Sequence, residues 1–157
     1  MTVLDKIDRQ ILKLLQEDAS VSIQQIADAV GLSANPCWRR IRRLEADGVI
    51  LGRVALVDPA KVGLGLTVYV RVKTREHSAD WARQLQKVMD AMPEILECHR
   101  IGGDVDYLLK VIVPDIAGYD RTYKELIARL PSLADVSALF SMERLKSTTG
   151  LPIPAET

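Results

Sequence analysis

The chain has 157 residues, and its 21 basic side chains balance 21 acidic ones, so the formal net charge is zero. This length allows one domain or two small ones, and the plentiful aliphatic residues suffice for two modest cores. The two cysteines form no Cys-x-x-Cys pair, which argues against a structural zinc site and a secreted disulfide framework. With no signal peptide and no apolar run near 18 residues, we expect a cytoplasmic protein without a membrane segment. The sequence contains no phosphate loop or dinucleotide fingerprint, and we expect no bound cofactor.

Three helices are predicted in the first third of the chain. The first is amphipathic, with an apolar stripe at helical spacing that comprises Leu4, Ile7, Ile11, Leu14 and Leu15. Ser22 and Gln25 have the spacing of a capping box at the start of a second helix, which glycine at position 31 ends. The third helix begins at Ser33 and ends near Gly48, and its first turn tolerates Pro36. The order is typical of a helix-turn-helix.

A helical wheel of the third helix separates two faces. The polar face carries Asn35, Pro36, Arg39, Arg40, Arg42 and Arg43, and the side assigned to the core carries Cys37, Trp38, Ile41 and Leu44. Between Gly31 and Arg53 there are five arginines against two acidic residues, a local basic excess despite overall neutrality. A guanidinium pairs with phosphate oxygens or with guanine O6 and N7, so this face predicts DNA binding. The alternative is a solvated charged face on a packing unit.

The candidate DNA contacts lie in the helix-turn-helix from Ile23 to Arg42 and at its end. They are Ser33, Asn35, Arg39, Arg40, Arg42 and Arg43, with Arg39, Arg40 and Arg43 the first choices. Free N–H groups at the start of the helix can also bind a phosphate. If Arg40 reads a base, we expect Arg40→Ala to weaken specific binding by roughly 1–3 kcal/mol.

A second domain follows a linker. The run from Val49 to Val57 is a candidate strand leaving the first domain, and the segment 58–63 reads as a linker. Predicted strands over 66–72, 95–101, 107–113 and 136–143 alternate with helices over 78–92 and 115–130, the βαββαβ order of a ferredoxin-like unit. We therefore expect an α+β protein with a helix-turn-helix domain at 1–53, a linker strand and hinge at 54–65, and a ferredoxin-like domain at 66–157. Two helices would cover one sheet face and leave an apolar face for self-association.

Several motifs, in order along nearly the whole chain, resemble the leucine-responsive/asparagine-regulator (Lrp/AsnC) family of prokaryotic transcription factors. They include Leu4-Asp5-x-x-Asp8-x-x-Ile11-Leu12, Gly31-Leu32-Ser33, Arg40-Ile41-x-x-Leu44-Glu45, Gly48-Val49-Ile50, Gly102-x-Asp104-x-Asp106-Tyr107 and Lys146-x-Thr148-Thr149-x-Leu151-Pro152. The sequence Pro36-Cys37-Trp38-Arg39-Arg40-Ile41 resembles that of a proteobacterial subgroup of the family, which includes cysteine-responsive and branched-chain-catabolism regulators.

The resemblance implies a winged helix-turn-helix that binds double-stranded DNA, and a second domain that dimerises and assembles into tetramers or octamers. It also implies that a small amino acid binds between dimers. The matching effector residues are Ile101, Gly102, Gly103, Asp104 and Asp106, with Thr148 and Thr149 supplied by a neighbouring subunit. A carboxylate can hold the ligand's ammonium, and backbone N–H groups or hydroxyls can hold its carboxylate. The alternative for this loop is an ordinary hairpin.

Three other functions are possible for such a chain: an architectural DNA-binding protein, a tetrapyrrole-binding enzyme and a metal-binding protein. An architectural protein would wrap DNA mainly through phosphates and show little sequence preference. Some proteins of this architecture resemble siroheme decarboxylases, but a tetrapyrrole site calls for more than the two histidines present here, so we expect no enzyme activity. His77 and His99 lack the ligand spacing of a metal site, because adjacent Cys98 and His99 would point to opposite faces of a strand. Trp38 and Trp81 are both assigned to the core, and Cys37 to small-residue packing.

Overall fold

A computed structural model describes residues 3–154, which form two compact units. The helical unit comprises residues 3–55 together with the tail 146–154, and the sheet unit comprises residues 56–145. The two units are connected at two points in the chain, between Ala55 and Leu56 and between Leu145 and Lys146. No helix within the described residues is long and apolar enough to cross a membrane.

Three helices make up the helical unit: α1 (Lys6–Glu17), α2 (Ile23–Val30) and α3 (Ala34–Ala46). The predicted capping box of Ser22 and Gln25 is confirmed, since the hydroxyl and the amide side chain each accept a backbone N–H from the other residue. Gly31 ends α2 in the left-handed conformation at φ 70°, as predicted. Ser33 is the N-cap of α3, although its hydroxyl makes no capping hydrogen bond.

The predicted apolar faces of the three helices meet in one core, which includes Ile11, Leu12, Ile26, Ala27, Cys37, Ile41 and Leu44. Cys37 is fully buried, which confirms its packing role. The prediction for Trp38 is wrong, because 46% of this residue is exposed. Successive residues of a helix are separated by about 100°, so Trp38 and Arg40 lie on opposite flanks of α3, equally far from Arg39. A flank position can face either way, and here Trp38 faces solvent while Arg40 faces α1.

The prediction of a strand between Val49 and Val57 is also wrong. Residues 51–58 have no regular secondary structure, and a short 3₁₀ helix (Pro59–Val62) lies in the predicted linker. Leu51, Val54, Leu56 and Val57 are all exposed. A strand needs a partner strand to satisfy its backbone N–H and C=O groups, and none of the described residues supplies one to this segment.

The sheet unit has the predicted βαββαβ order. Its elements are β1 (Leu66–Thr74), α4 (Ala79–Ala91), β2 (Ile95–Arg100), β3 (Tyr107–Val113), α5 (Ile116–Arg129) and β4 (Leu133–Phe140). The strands form one antiparallel sheet in the order β2-β3-β1-β4, with Val70 opposite Leu109 and Ala138. The last strand begins and ends three residues earlier than predicted. Ser78 and Asp115 cap the two helices through their side chains.

One face of the sheet packs under the helices. Val68, Val70 and Val72 of β1 are buried together with Trp81 of α4, whose indole Nε1 donates to the carbonyl of Pro131 at 2.8 Å. The prediction that the opposite face of the sheet is apolar is wrong. The alternate residues of β1 on that face are Tyr69, Arg71 and Lys73, all exposed, so the face mixes an aromatic ring with charges.

The tail from Lys146 packs on the helical unit, whereas the sequence assigned all of 66–157 to the ferredoxin-like domain. The side chain of Gln16 in α1 explains this: its Nε2 donates to the carbonyl of Leu151 at 3.3 Å, and its Oε1 accepts the N–H of Leu151 at 2.6 Å. Arg9 Nη1 donates to the carbonyl of Pro154 at 2.9 Å, and Ile153 packs against the helical core. The difference therefore comes from contacts between residues about 140 positions apart.

Candidate nucleic-acid interface

The outward face of α3 presents polar side chains to solvent. Ser33, Asn35 and Arg39 are exposed, and Arg39 forms no ion pair with any residue between 3 and 154. Arg42 is also exposed, and its Nη1 lies 3.0 Å from Oε2 of Glu45 one turn later. An exposed ion pair of this kind contributes only about 0–1 kcal/mol, so Arg42 can exchange Glu45 for another anion at little cost. This face can donate hydrogen bonds to an anionic partner.

Arg40 and Arg43 are placed differently from the other two arginines. Arg40 Nη1 lies 2.6 Å from Oδ2 of Asp5 and 2.8 Å from Oδ1 of Asp8, and Arg43 Nη2 forms an ion pair with Oδ2 of Asp8. Asp8 is 0% exposed, so both arginines contact a carboxylate in the helical core. Hydrogen bonds to Asp5 and Asp8 raise the pKa of Arg40, and the amide of Asp8, followed by Arg40, holds the pKa of Asp5 below its usual range.

The predicted face therefore divides into two groups. The structure places Ser33, Asn35, Arg39 and Arg42 on the outward side, and it engages Arg40 and Arg43 with α1. Sequence reasoning missed the role of Asp5 and Asp8, although both lie in a motif of the family, because they are 32 to 35 residues from Arg40 and Arg43. A usable signal was present. Asp8 lies one turn before Leu12 on the apolar side of α1, and a carboxylate at such a position needs a buried partner.

The loop between β2 and β3 carries the predicted effector residues. The amide of Ile101 donates to the carbonyl of Asp106 at 2.8 Å, which closes the loop. Gly103 has φ 144°, a conformation that side-chain-bearing residues rarely adopt, and Gly102 has open space where a Cβ would lie. A ligand can therefore approach the backbone of both glycines closely.

The two acidic residues of this loop have different roles. Asp106 accepts the N–H of Thr74 on Oδ2 at 2.8 Å, so its carboxylate holds the loop against β1. Asp104 is exposed. Thr148 and Thr149 lie in the tail that packs on the helical unit, so they belong to a different compact unit from the loop. The hydroxyl of Thr148 accepts the N–H of Gly150 at 3.1 Å.

The cysteines and histidines form no candidate metal site within residues 3–154, where no group of three metal-ligating side chains comes together. His99 Nε2 lies 3.3 Å from Glu97, and Lys110, followed by His99, lowers the pKa of the Glu97 carboxyl. Burial raises the pKa of both the Cys37 and the Cys98 thiols, which disfavours the reactive thiolate form.

Family models match both parts of the chain. Residues 4–50 match a winged helix-turn-helix DNA-binding model, and residues 67–151 match the Lrp/AsnC ligand binding domain. The second match includes Thr148 and Thr149, so the matched domain extends into the tail that packs on the helical unit.

Full-length relatives agree with the family models. The DNA-binding transcriptional activator DecR of Escherichia coli is 50% identical over 151 residues, which cover 96% of this chain and 99% of that protein. An AsnC family transcriptional regulator from Agrobacterium tumefaciens has a crystal structure that is 50% identical, with a TM-score of 0.91 and coverage of 95% and 97%. A transcriptional regulator of Neisseria meningitidis in complex with L-Met is 31% identical, with a TM-score of 0.89 and coverage of 96% and 97%. Sequence and fold together make this chain a member of the Lrp/AsnC family of DNA-binding, amino-acid-responsive transcriptional regulators.

Proposed function

We propose that this regulator places α3 in the major groove of a specific operator and that a small amino acid modulates its binding there. The observation that carries the proposal is the outward face of α3, where Asn35, Arg39 and Arg42 are exposed and Arg42, within residues 3–154, pairs only with Glu45 on its own helix. The protein acts by binding, as its curated relative DecR does according to its name, and we assign it no catalytic step. A DNA target also fits the expected cytoplasmic location, where a prokaryotic chromosome lies.

The contacts to DNA follow from the chemistry of each side chain. Asn35 can pair with the N6 and N7 of adenine, and Arg39 with the O6 and N7 of guanine, since both pairs of groups match in the major groove. Arg42 and the N–H groups that follow Ser33 are suited to phosphates. Arg40 and Arg43, which the sequence also predicts as DNA contacts, both form ion pairs with Asp8 of α1.

The effector is proposed to bind at the loop between β2 and β3. The backbone N–H groups of Gly102 and Gly103 would hold its carboxylate end, and Asp104 would hold its ammonium. Ile101, whose own N–H is donated to Asp106, would contribute an apolar side chain to the site. Asp106 would act by fixing the loop through Thr74. Thr148 and Thr149 would come from a neighbouring subunit, as the family resemblance implies. Cysteine and the branched-chain amino acids are the candidate effectors, to which the L-Met complex of the Neisseria regulator adds methionine.

We also propose that the protein is a homodimer that assembles into a tetramer or octamer. Two surfaces with exposed apolar side chains support this proposal. One is the irregular segment 51–58, where Leu51 and Val54 are 95% and 81% exposed, and the other is the open sheet face, where Tyr69 and Leu139 are 38% and 49% exposed beside the charged Arg71 and Lys73. Large exposed apolar side chains that occur in groups mark surfaces that associate.

The experiment that tests this function is a DNA titration. Binding to the region upstream of the protein's own gene is compared with binding to random duplex of equal length, at two salt concentrations, with and without the twenty amino acids. We expect a salt-sensitive preference for the upstream region that changes when the amino acids are added. Equal binding to both duplexes, unaffected by amino acids, would instead support an architectural protein with little sequence preference.

A further inference from the structure

One buried carboxylate contacts two arginines of the helix that is proposed to read DNA. Among residues 3–154, Asp8 is the only acidic residue that is buried, and its two oxygens accept from Arg40 and Arg43. Arg40 also bridges to Asp5, which begins α1 as its N-cap. Asp5 and Asp8 are joined by the capping box of α1, so the network connects the first turn of α1 to the middle of α3.

This geometry limits what the two arginines can do. If Arg40 and Arg43 both turned toward DNA, Asp8 would become a buried carboxylate without a positive partner, which is strongly unfavourable. At least one of the two arginines must therefore remain paired with Asp8. Arg40 makes two ion pairs and its side chain is 27% exposed, whereas Arg43 makes one and its side chain is 46% exposed. Arg40 is therefore the arginine that remains with Asp8.

We propose that Asp8, assisted by Asp5, is a positioning residue for DNA recognition: it holds Arg40 and thereby fixes the orientation of α3. Arg40 then supports the reading face and does not itself read a base. This inference rests on the proposed function and departs from the sequence-based choice of Arg40 as a leading DNA contact. Base discrimination falls to Asn35 and Arg39, whose side chains are exposed on the same helix.

If Asp8 positions α3, removing its charge should reduce the preference for specific over random DNA without weakening DNA binding in general. Without the charge of Asp8, α3 is less firmly oriented, so specific contacts weaken. At the same time Arg40 and Arg43 are released, and each can pair with a phosphate of any sequence. Binding to random DNA is then unchanged or stronger. A loss of folded protein would instead weaken binding to both kinds of DNA equally.

The test compares Asp8→Asn with Glu17→Gln, a control that removes one negative charge from the same helix. Glu17 is exposed and makes no ion pair with an α3 arginine in the described structure. For Asp8→Asn we expect the ratio of affinities for upstream and random DNA to fall about tenfold, and the salt slope to steepen by about 1 for each released arginine. Glu17→Gln should keep the wild-type ratio. An unchanged ratio in Asp8→Asn would overturn the positioning role.

A double-mutant cycle with Arg40→Met separates positioning from base reading. If Arg40 acts through Asp8, the double variant loses no more discrimination than either single variant. Additive losses, or a loss of preference at one base pair in Arg40→Met alone, would show that Arg40 reads DNA directly. Folding is checked by circular dichroism. If Asp8→Asn does not fold, Asp5→Asn replaces it, because asparagine also caps helices and only the charge is lost. We then expect a smaller fall in the ratio of affinities for upstream and random DNA. An unchanged ratio would contradict the positioning role.

The titrations also distinguish the two proposals. A wild-type protein that binds upstream and random DNA equally would overturn the proposed function, and the positioning role with it. A wild-type protein that discriminates, together with an Asp8→Asn variant that discriminates equally well, would overturn the positioning role alone.

Discussion

The helical unit and the sheet unit use their charged side chains in different ways. In the helical unit, Arg40 and Arg43 meet the buried Asp8 across two helices. In the sheet unit, the ion pairs are exposed and mostly local, as between Lys124 and Asp120 one turn apart on α5. Buried, long-range pairs orient elements relative to each other, whereas exposed local pairs contribute little and exchange easily. The helical unit therefore holds Arg40 and Arg43 in place through a buried carboxylate and keeps exchangeable charges, such as Arg42, on its outward face, whereas the ion pairs of the sheet unit are mostly of the exchangeable kind.

The largest loss of stability is expected from truncating a core side chain in either unit, and it shows whether the two units unfold separately. Leu44→Ala in the helical core and Leu109→Ala in the sheet core each remove a fully buried side chain, at a cost of about 2–5 kcal/mol. Each unit holds one tryptophan, Trp38 or Trp81, so fluorescence during urea unfolding can follow each unit in a single-tryptophan background. We expect each substitution to lower mainly the midpoint of its own unit. Equal shifts at both tryptophans would mean that the chain unfolds as one unit.

A smaller effect is expected in the effector loop. Gly103→Ala places a side chain at φ 144°, which we expect to cost about 1–3 kcal/mol in the free energy of unfolding. Gly102→Ala is a matched control, because its Cβ would enter open space and its φ lies outside the strained range. The measurement is urea unfolding followed at Trp81. Equal midpoints for the two variants would argue against a strained turn at Gly103.

A loss of stability of similar or smaller magnitude is expected when the tail is released from the helical unit. Gln16→Ala removes both hydrogen bonds to Leu151, and we expect a loss of about 1 kcal/mol and faster proteolysis of the tail. Gln10→Ala on the same helix is the control, since its side chain is exposed and makes no hydrogen bond within residues 3–154. If both variants are cleaved at the wild-type rate, the tail does not depend on Gln16.

The smallest effect concerns acid stability. The pKa of Asp5 is lowered in the folded protein, so its contribution is complete above the unfolded value of about 3.9 and is lost as the pH falls through the folded value. Wild type should therefore exceed Asp5→Asn in stability near neutral pH, and the difference should shrink below about pH 4. Urea midpoints measured from pH 6 to pH 3 check this. A difference that grows in acid would contradict the assigned sign.

Local signals in the sequence predicted most of the fold. Ser22, Gln25 and Gly31 act on neighbouring backbone groups, so their effect on α2 can be deduced from spacing alone. Contacts between distant residues were less predictable. The partners of Arg40 and Arg43 lie in α1, and Gln16 binds a tail about 135 residues away, distances at which periodicity gives no information. The strand expected near Val54 failed for the same reason, because strand formation depends on a distant partner.

The central claim is that the outward face of α3 recognises specific DNA, and a comparison of Arg39→Ala with Arg121→Ala tests it most directly. Both remove one exposed arginine, but Arg121 lies on α5 in the sheet unit. The affinity of each variant for the gene's upstream DNA and for random duplex would be measured at one salt concentration. We predict that Arg39→Ala lowers specific affinity by about 1–3 kcal/mol while Arg121→Ala matches wild type. Equal affinities for both variants and wild type would contradict the claim.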